Sequence, residues 1–454
     1  VEQLSLASAL AAARTALDAA ATEAATSSQN IANAATPGYA RERPDLAELP
    51  AFSGVAVSTI QRVVSQVARS ALLAAQGAEE GAATTAGILQ QAQALLGEPA
   101  NGLSQLLVSF WNAWQQVATT PTDPGARDGL LAAAQQLTSR FQSITQGLQG
   151  IEVALAQSLA QGVAEVNSLA QKVASLDLQI QAGQAAGQDV NALLDQRDQL
   201  AQQLAQLAGA APAQPPTQDY TLVIGGQPLV VGGTAYQLAV RGTGPASTVV
   251  WKDTGQPAPL TQGQLGAQAQ ALSQQLPALS AGLDAVARDL VAAVNGLHMT
   301  GYTLTQPPQT GIPFFAPTGT TAATIAVNPA IAQNPDLIAA SGTGAPNDGS
   351  VAQSIASLAT ALAAGGGTQT ILAEYNGVIV GLAAQLQTAQ IQQQAATAQV
   401  TQFQQIDQSV SGVSLSEEQT ALLLDQQMAQ AATTVLAAAQ SMLRSLLQAV
   451  GAGG

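Results

Sequence analysis

The chain has 454 residues, 13 Lys+Arg against 28 Asp+Glu for a formal net charge of −15, and no cysteine. So acidic a surface repels nucleic acid, and two lysines, Lys172 and Lys252, leave no polybasic patch for an anionic membrane. No disulfide, thiolate zinc site or thiol nucleophile exists, and no segment reaches the roughly 18 uninterrupted apolar residues of a membrane span.

At the N-terminus, Val1-Glu2-Gln3 lacks the basic region of a secretory signal, so if the chain leaves the cell it is expected to do so without signal cleavage. Leu6 to Ala35 reads as helix. Leu10, Leu17, Ala24 and Ile31 recur every seven residues, with Leu6, Ala13, Ala20 and Ser27 interleaved. This a/d seam is thin because most of its side chains are small. Pro37-Gly38 ends it. Gly54 to Ile60 alternates and predicts a hairpin or an extended segment, and Val63 to Leu96 returns to helix until Gly97-Glu98-Pro99. Asn101 to Val117 is amphipathic, with Leu103, Leu107, Phe110, Trp111 and Trp114 on one stripe suited to core packing. After Thr120 to Gly125 breaks the chain, a very long helical pattern covers Ala126 to Ala208, with an interruption near Gly183 to Gly187.

Pro212, Pro215 and Pro216 mark a change of period. Tyr220 to Ile224 and Pro228 to Val231 read as strands around Gly225-Gly226, extended by Tyr236 to Val240 and Thr248 to Trp251. Helix is expected from Gly263 to Leu297, short strands and loops over 301–345, and helix from Ser350 to Ala449 with one break at Ser409 to Gly412. Ser414 and Glu417 have capping-box spacing. In the last helix Met428, Val435, Met442 and Ala449 form one heptad track, and Leu424, Ala431, Ala438 and Ser445 another. Leu436, Leu443, Leu447 and Val450 widen the stripe.

The expected fold is mainly α with a smaller β-rich insert, a long helical bundle or coiled coil built from the N- and C-terminal halves as discontinuous domains. Its expected division is 1–40 and 412–454 as terminal coiled-coil segments, 41–211 and 346–411 as the two parts of a helical bundle, and 212–345 as an outer insert with an internal helix. A lone helix of about 30 residues is marginal in water, and alanine burial gains far less than the ~1.5–3 kcal/mol of a buried Val or Leu. The termini therefore either fold on polymerisation or pair as an intramolecular hairpin. Little terminal helix is expected in the free monomer.

Constellations for catalysis are few. His298 is the only histidine and sits at a helix end, where packing explains it better than a triad. Glu79-Glu80 and Glu417-Glu418 are adjacent, so their side chains diverge by about 100° on a helix and do not converge on one bond. Gly342-Thr343-Gly344 fails the dinucleotide pattern. Asp336, Asn347 and Asp348 lack EF-hand spacing, and Asn347 to Ser350 reads as a turn and helix cap. No catalytic residue, cofactor or metal site is expected.

Ser28-Gln29-Asn30-Ile31-Ala32-Asn33-Ala34-Ala35-Thr36-Pro37-Gly38-Tyr39 resembles the N-terminal signature of the bacterial flagellar axial proteins, the rod, hook and hook-associated family. Asn30, Ile31, Asn33, Thr36, Pro37, Gly38 and Tyr39 carry it. Ser411 to Glu418, then Gln426-Gln427, resembles the matching C-terminal signature. Within that family, Leu193 to Leu200, Asp123-Pro124 with Arg127, Ser139-Arg140-Phe141, Ala293-Val294-Asn295 with His298, Gly301-Tyr302 and Phe314-Phe315 are similar to the hook-associated members at the hook–filament junction. Ala429 and Gln440-Ser441 depart from the Tyr and Asp-Glu that many relatives carry there.

The resemblance implies a structural, non-enzymatic subunit outside the cell, in a ring of identical copies between the hook protein and a second junction protein next to the filament. Leu6, Leu10, Leu17, Ala24 and Ile31 would pack between subunits. The stripe of Leu424, Met428, Val435, Leu436, Met442, Leu443 and Leu447 would do the same, after release from a cytoplasmic chaperone of the flagellar type III export apparatus. No cofactor, nucleic acid or membrane insertion is implied. A hook or distal-rod subunit is the alternative within the family, and a secreted helical adhesin or binding module the alternative outside it.

Overall fold

The computed structural model describes residues 6–50, 53–97, 102–213 and 219–451. The expected breaks at Glu98-Pro99 and Pro215-Pro216, the helix start at Asn101, and the side chains of Ala449 and Val450 lie outside the described residues. The chain divides into two compact units: Val1–Glu79, Glu165–Gln237 and Ala395–Gly454 form the first, Glu80–Ala164 and Leu238–Gln394 the second. The residues expected as one insert, 212–345, contribute strands to both.

The first unit is built on α1 (Leu6–Asn33), the antiparallel hairpin of β1 (Glu42–Glu48) and β2 (Val55–Arg62), and α11 (Leu415–Gly451). α1 packs against α11 and against both strands of the hairpin. The first part of α2 (Gln66–Leu96), the last part of α4 (Pro124–Ala185), α5 (Asn191–Ala208) and the end of α10 (Ile371–Ser411) complete it. The interruption between α4 and α5 falls where the glycines predict it. Gly187 takes φ +68° and Asp189 Oδ1 accepts the Asn191 amide at 2.9 Å, opening α5. Gly209 closes α5 in the left-handed conformation, its amide donating to Ala205 O at 2.8 Å. A small antiparallel sheet follows in the order β3 (Ala211–Pro212), β4 (Thr221–Ile224), β5 (Gln227–Val231), β6 (Thr234–Ala235).

The second unit carries a large core. α3 (Leu103–Thr119) contributes Leu103, Leu107, Phe110, Trp111, Trp114 and Val117, and the first part of α4 contributes Leu130, Leu137, Phe141, Ile144 and Leu148. The β7–β8 pair (Leu238–Arg241, Thr248–Trp251) precedes α6 (Gly263–Gln270), a π-helical turn over Ala271–Gln275, and α7 (Leu276–His298). Region 301–345 is loop with isolated bridges, Tyr302 to Ser341 and Phe315 to Val327, and one short helix, α8 (Pro329–Gln333), where only strands and loops were expected.

The helix expected from Ser350 with a single break is interrupted once more than its apolar pattern indicates. α9 (Ser350–Ala356) ends in a 3-10 turn, and Gly365, Gly366 and Gly367, all at positive φ, reverse the chain before α10 begins. The break between α10 and α11 lies over Gly412 to Ser414. No described helix is long and apolar enough to cross a membrane, and no described group of His, Asp or Glu is arranged to hold a metal ion.

Candidate functional site

The place where the two chain ends meet is built around one amide side chain. Asn30, near the C-terminus of α1, is 1% exposed, and its Nδ2 donates to Glu42 O at 2.9 Å and to Glu418 Oε2 at 3.0 Å. Its Oδ1 accepts the Glu42 amide at 2.9 Å and the Tyr39 hydroxyl at 2.8 Å. One residue thus ties α1 to β1, to its own following loop and to the first turn of α11, 388 positions away. Burial and surrounding carboxylates hold the Tyr39 phenol above its ordinary range, which keeps it a donor. Asn33 accepts the Thr36 hydroxyl, and Pro37 O accepts Gln199 Nε2 at 2.9 Å. Gly38 stands at φ +81° with Gln199 against the place a Cβ would occupy. Ile31 is half-buried.

Arg41 completes the junction and escaped sequence reasoning. Its Nε lies 2.7 Å from Glu418 Oε1 and its Nη1 3.2 Å from Glu417 Oε2, while its amide donates to Ser411 O. Glu417 therefore engages Arg41, and Ser414 Oγ meets Ser416 Oγ at 3.2 Å, in place of the reciprocal capping box. The sequence signal was the charge itself, one arginine two residues after the Asn-to-Tyr motif.

The Asn30–Glu418 bond also fixes the register of the antiparallel helix pair. Counting back in heptads sets Glu23 opposite Asp425, Ala16 opposite Ala432 and Ala9 opposite Ala439. In α11 the buried residues Glu418, Asp425, Ala432 and Ala439 are spaced by seven, with Leu422, Ala429 and Leu436 half-buried beside them. Small side chains line this contact. Leu6, Leu10, Leu17 and Ala24 are half-buried, on tracks adjacent to the one that meets α11. Ala13, Ala20 and Ser27 of the interleaved track are buried.

The large apolar residues of α11 point elsewhere. Leu423, Leu424, Met428, Val435, Met442, Leu443 and Leu447 are all exposed, Leu447 by 64%. Of the expected stripe, Leu436 alone is half-buried on the side of α1. Between Asp425 and Arg444 the helix has no charge to interrupt this face.

Below the hairpin an ion-pair network gathers four elements. Arg62 of β2 meets Asp195 Oδ1 at 3.0 Å and also Asp198, and Arg69 of α2 meets Asp198 and, at 3.5 Å, Asp407 of α10. Burial raises the Asp195 carboxyl, opposed by Arg62 and Arg69. Arg197 pairs with Asp177 Oδ1 at 2.9 Å and lies 3.7 Å over the Tyr220 ring. Asp195, Arg197 and Asp198 thus make ion pairs within their own chain.

The interior markers of the second unit converge on one spot. His298 is fully buried. Its Nδ1 is 2.7 Å from Ile312 O, and its Nε2 accepts the Ala339 amide at 2.8 Å. A carbonyl only accepts and an amide N–H only donates, so the imidazole is neutral with its proton on Nδ1. Burial lowers its pKa to about 4. Trp114 and Phe314 pack around it at 5.9 and 5.5 Å between ring centroids. Arg127, 2% exposed, donates to Pro121 O, Pro335 O and Ile338 O, and Asn295 brackets Phe315 through both its backbone amide and carbonyl. Asp348 accepts from the Ser350 amide and from Ser341, Gly342 and Thr343, which hold its carboxyl below the usual range and fix the turn into α9. These contacts tie the loops of the second unit to its helices.

Residues 89–315, half of the chain, match the family described as the flagellar hook-associated protein FlgK helical domain. The chain belongs to this family. Flagellar hook-associated protein 1 of Salmonella typhimurium (strain LT2) is 32% identical over 225 residues, 47% of this chain, and the match spans 41% of the Salmonella protein. The protein of the same name from Bacillus subtilis (strain 168) is 26% identical over 97% of this chain and 98% of its own length. Among solved structures, the flagellar hook junction protein FlgK from Burkholderia pseudomallei shares the fold, with a TM-score of 0.66 at 19% identity over 75% of this chain. The mainly α fold with long terminal helices read from the sequence agrees with that likeness.

Proposed function

We propose that the chain is a structural subunit of the bacterial flagellum, acting mechanically and not as an enzyme. It forms a ring of identical subunits at the hook–filament junction, between the hook protein and a second junction protein next to the filament. The supporting observation is the exposed apolar face of α11 on a helix whose other side is already paired with α1. Leu424, Met428, Val435, Met442, Leu443 and Leu447 are offered to neighbouring subunits, and before assembly to a cytoplasmic chaperone that shields them. Leu6, Leu10, Leu17, Ala24, Ile31 and Leu436, half-buried in the single chain, lose their remaining exposure in the ring. The family supports export through the flagellar type III apparatus without signal cleavage. Location outside the cell follows from that route.

Electron microscopy of cells lacking this chain, paired with an assay for flagellin in the medium, tests the reading. Finished hooks without filaments, with flagellin lost to the medium, are expected. Missing hooks would reassign the chain to the rod or the hook, and normal flagella would leave only the binding-module class. Removing residues 1–35 and 415–454 is expected to abolish assembly.

A further inference from the structure

The seam between α1 and α11 carries a feature that burial of small residues does not explain. Heptad counting from the Asn30–Glu418 bond puts two acids, Glu23 and Asp425, face to face among alanines. Asp425 is 5% exposed and Glu23 half-buried. The charged groups around them are few. One heptad towards the start of α11 is Glu418, whose carboxylate is taken by Arg41 and Asn30, with Glu417 on the same arginine. From the hairpin, β1 brings Glu42, bonded to Asn30 through its backbone, and Arg62 of β2 is committed to Asp195 and Asp198. Asp18 of α1 is exposed. Among the described ion pairs no cation reaches Glu23 or Asp425.

Two carboxylates facing each other across a buried seam without a cation resist being ionised together. We propose that Glu23 and Asp425 form a proton-operated latch between the terminal helices: the closed hairpin keeps a proton on the pair, and its loss loosens the hairpin. In agreement with the geometry, burial raises both carboxyls, and each is raised further by a neighbouring acid, Glu23 by Asp425 and Asp425 by Glu418. A carboxyl raised on closing makes the closed form bind more protons than the open one. Its stabilising effect is therefore complete below the ordinary carboxylate range, about pH 4, and is lost as the pH rises through the raised value. At neutral pH the free chain then keeps its ends loosely paired, which leaves α1 ready to exchange its partner.

The latch concerns the chain's own two helices and stands apart from where the chain assembles. Normal titration with normal flagella in the deletion strain would sink the proposed function and leave the latch intact. The test is amide hydrogen exchange of the full chain, read as protection factors for residues 15–30 at about pH 5 and about pH 7. Wild-type protection is expected to rise severalfold on acidification, the direction set by carboxyls raised on closing. Asp425→Asn is expected to be as protected at neutral pH as the wild type is at the lower pH, with little further change. Should Asp425→Asn fail to form α11, Glu23→Gln carries the same expectation from the opposite helix. A wild type with a flat profile, a wild type unprotected at both pH values, or either variant retaining the wild-type profile would overturn the latch.

Discussion

The core around Trp114 and the seam between α1 and α11 sort their side chains in opposite ways. In the first, the bulkiest residues are the most buried, with Phe110, Trp114, Phe314 and Phe315 at 0% exposure and their ring centroids 5.0 to 6.3 Å apart. In the second, alanines and two acids are inside while Leu424, Met428, Val435 and Leu447 face out. A core of large rings is complete within one chain. A seam of alanines with leucines on its back gains little from its own closure, because each buried alanine contributes well under the ~1.5–3 kcal/mol that a buried leucine would. Titration separates the two regions as well, since the one buries a neutral imidazole and the other a pair of carboxyls.

The widest separation is expected from Phe314→Ala, which should cost about 3–5 kcal/mol of stability in a urea titration. The same substitution leaves the protection of α1 amides unchanged. Acidification comes next. The His298 pKa falls from 6.5 to about 4 on folding, so its contribution is complete above the unfolded value and lost as the pH drops through about 4. That amounts to roughly 3 kcal/mol, visible as a falling urea midpoint of the second unit over a range in which the hairpin gains protection. A rising midpoint there would contradict the neutral state assigned to His298. Ala20→Leu overpacks a position 2% exposed and should cost about 1–3 kcal/mol, read as lost protection over residues 10–30. Gly38→Ala has φ +81° to contend with and should cost about 1 kcal/mol, measured by the same exchange. Least of all on the fold, Leu424→Gln with Met428→Gln should change stability by no more than about 0.5 kcal/mol while preventing ring assembly in sedimentation. Assembly unaffected by the pair would mean that this face is not the one neighbours use.

How much could be read without the structure follows the same divide. In the second unit the contrast between large apolar and polar residues was high, so Leu103 to Trp114 announced its buried stripe and α3 appears where it was expected. Gly187 marked the end of α4 because a left-handed turn needs it, at φ +68°. Gly365 to Gly367 gave the same signal and lost to the strong helical pattern on either side. In α1, where alanine recurs on every face, hydrophobicity could not choose between neighbouring tracks. It favoured the leucines at 10 and 17, whereas the Asn30–Glu418 bond selects the track one residue earlier. No pattern of apolar residues would place Glu23 and Asp425 inside a seam. That placement depends on a hydrogen bond across 388 positions. The network at Asp195 and Asp198 was legible as charged residues on a helix, but their partners come from β2, α2 and α10, which only the folded chain brings within reach.

The uneven distribution of rings has a spectroscopic consequence. Trp111, Trp114 and Trp251 all belong to the second unit, whereas the aromatic residues of the first include Tyr39, Tyr220 and Tyr236 but no tryptophan. Indole emission is therefore silent about the chain termini. A tryptophan placed at Gln427, on the exposed side of α11, would add a single reporter there, and the two halves of the molecule could be followed separately in one cuvette.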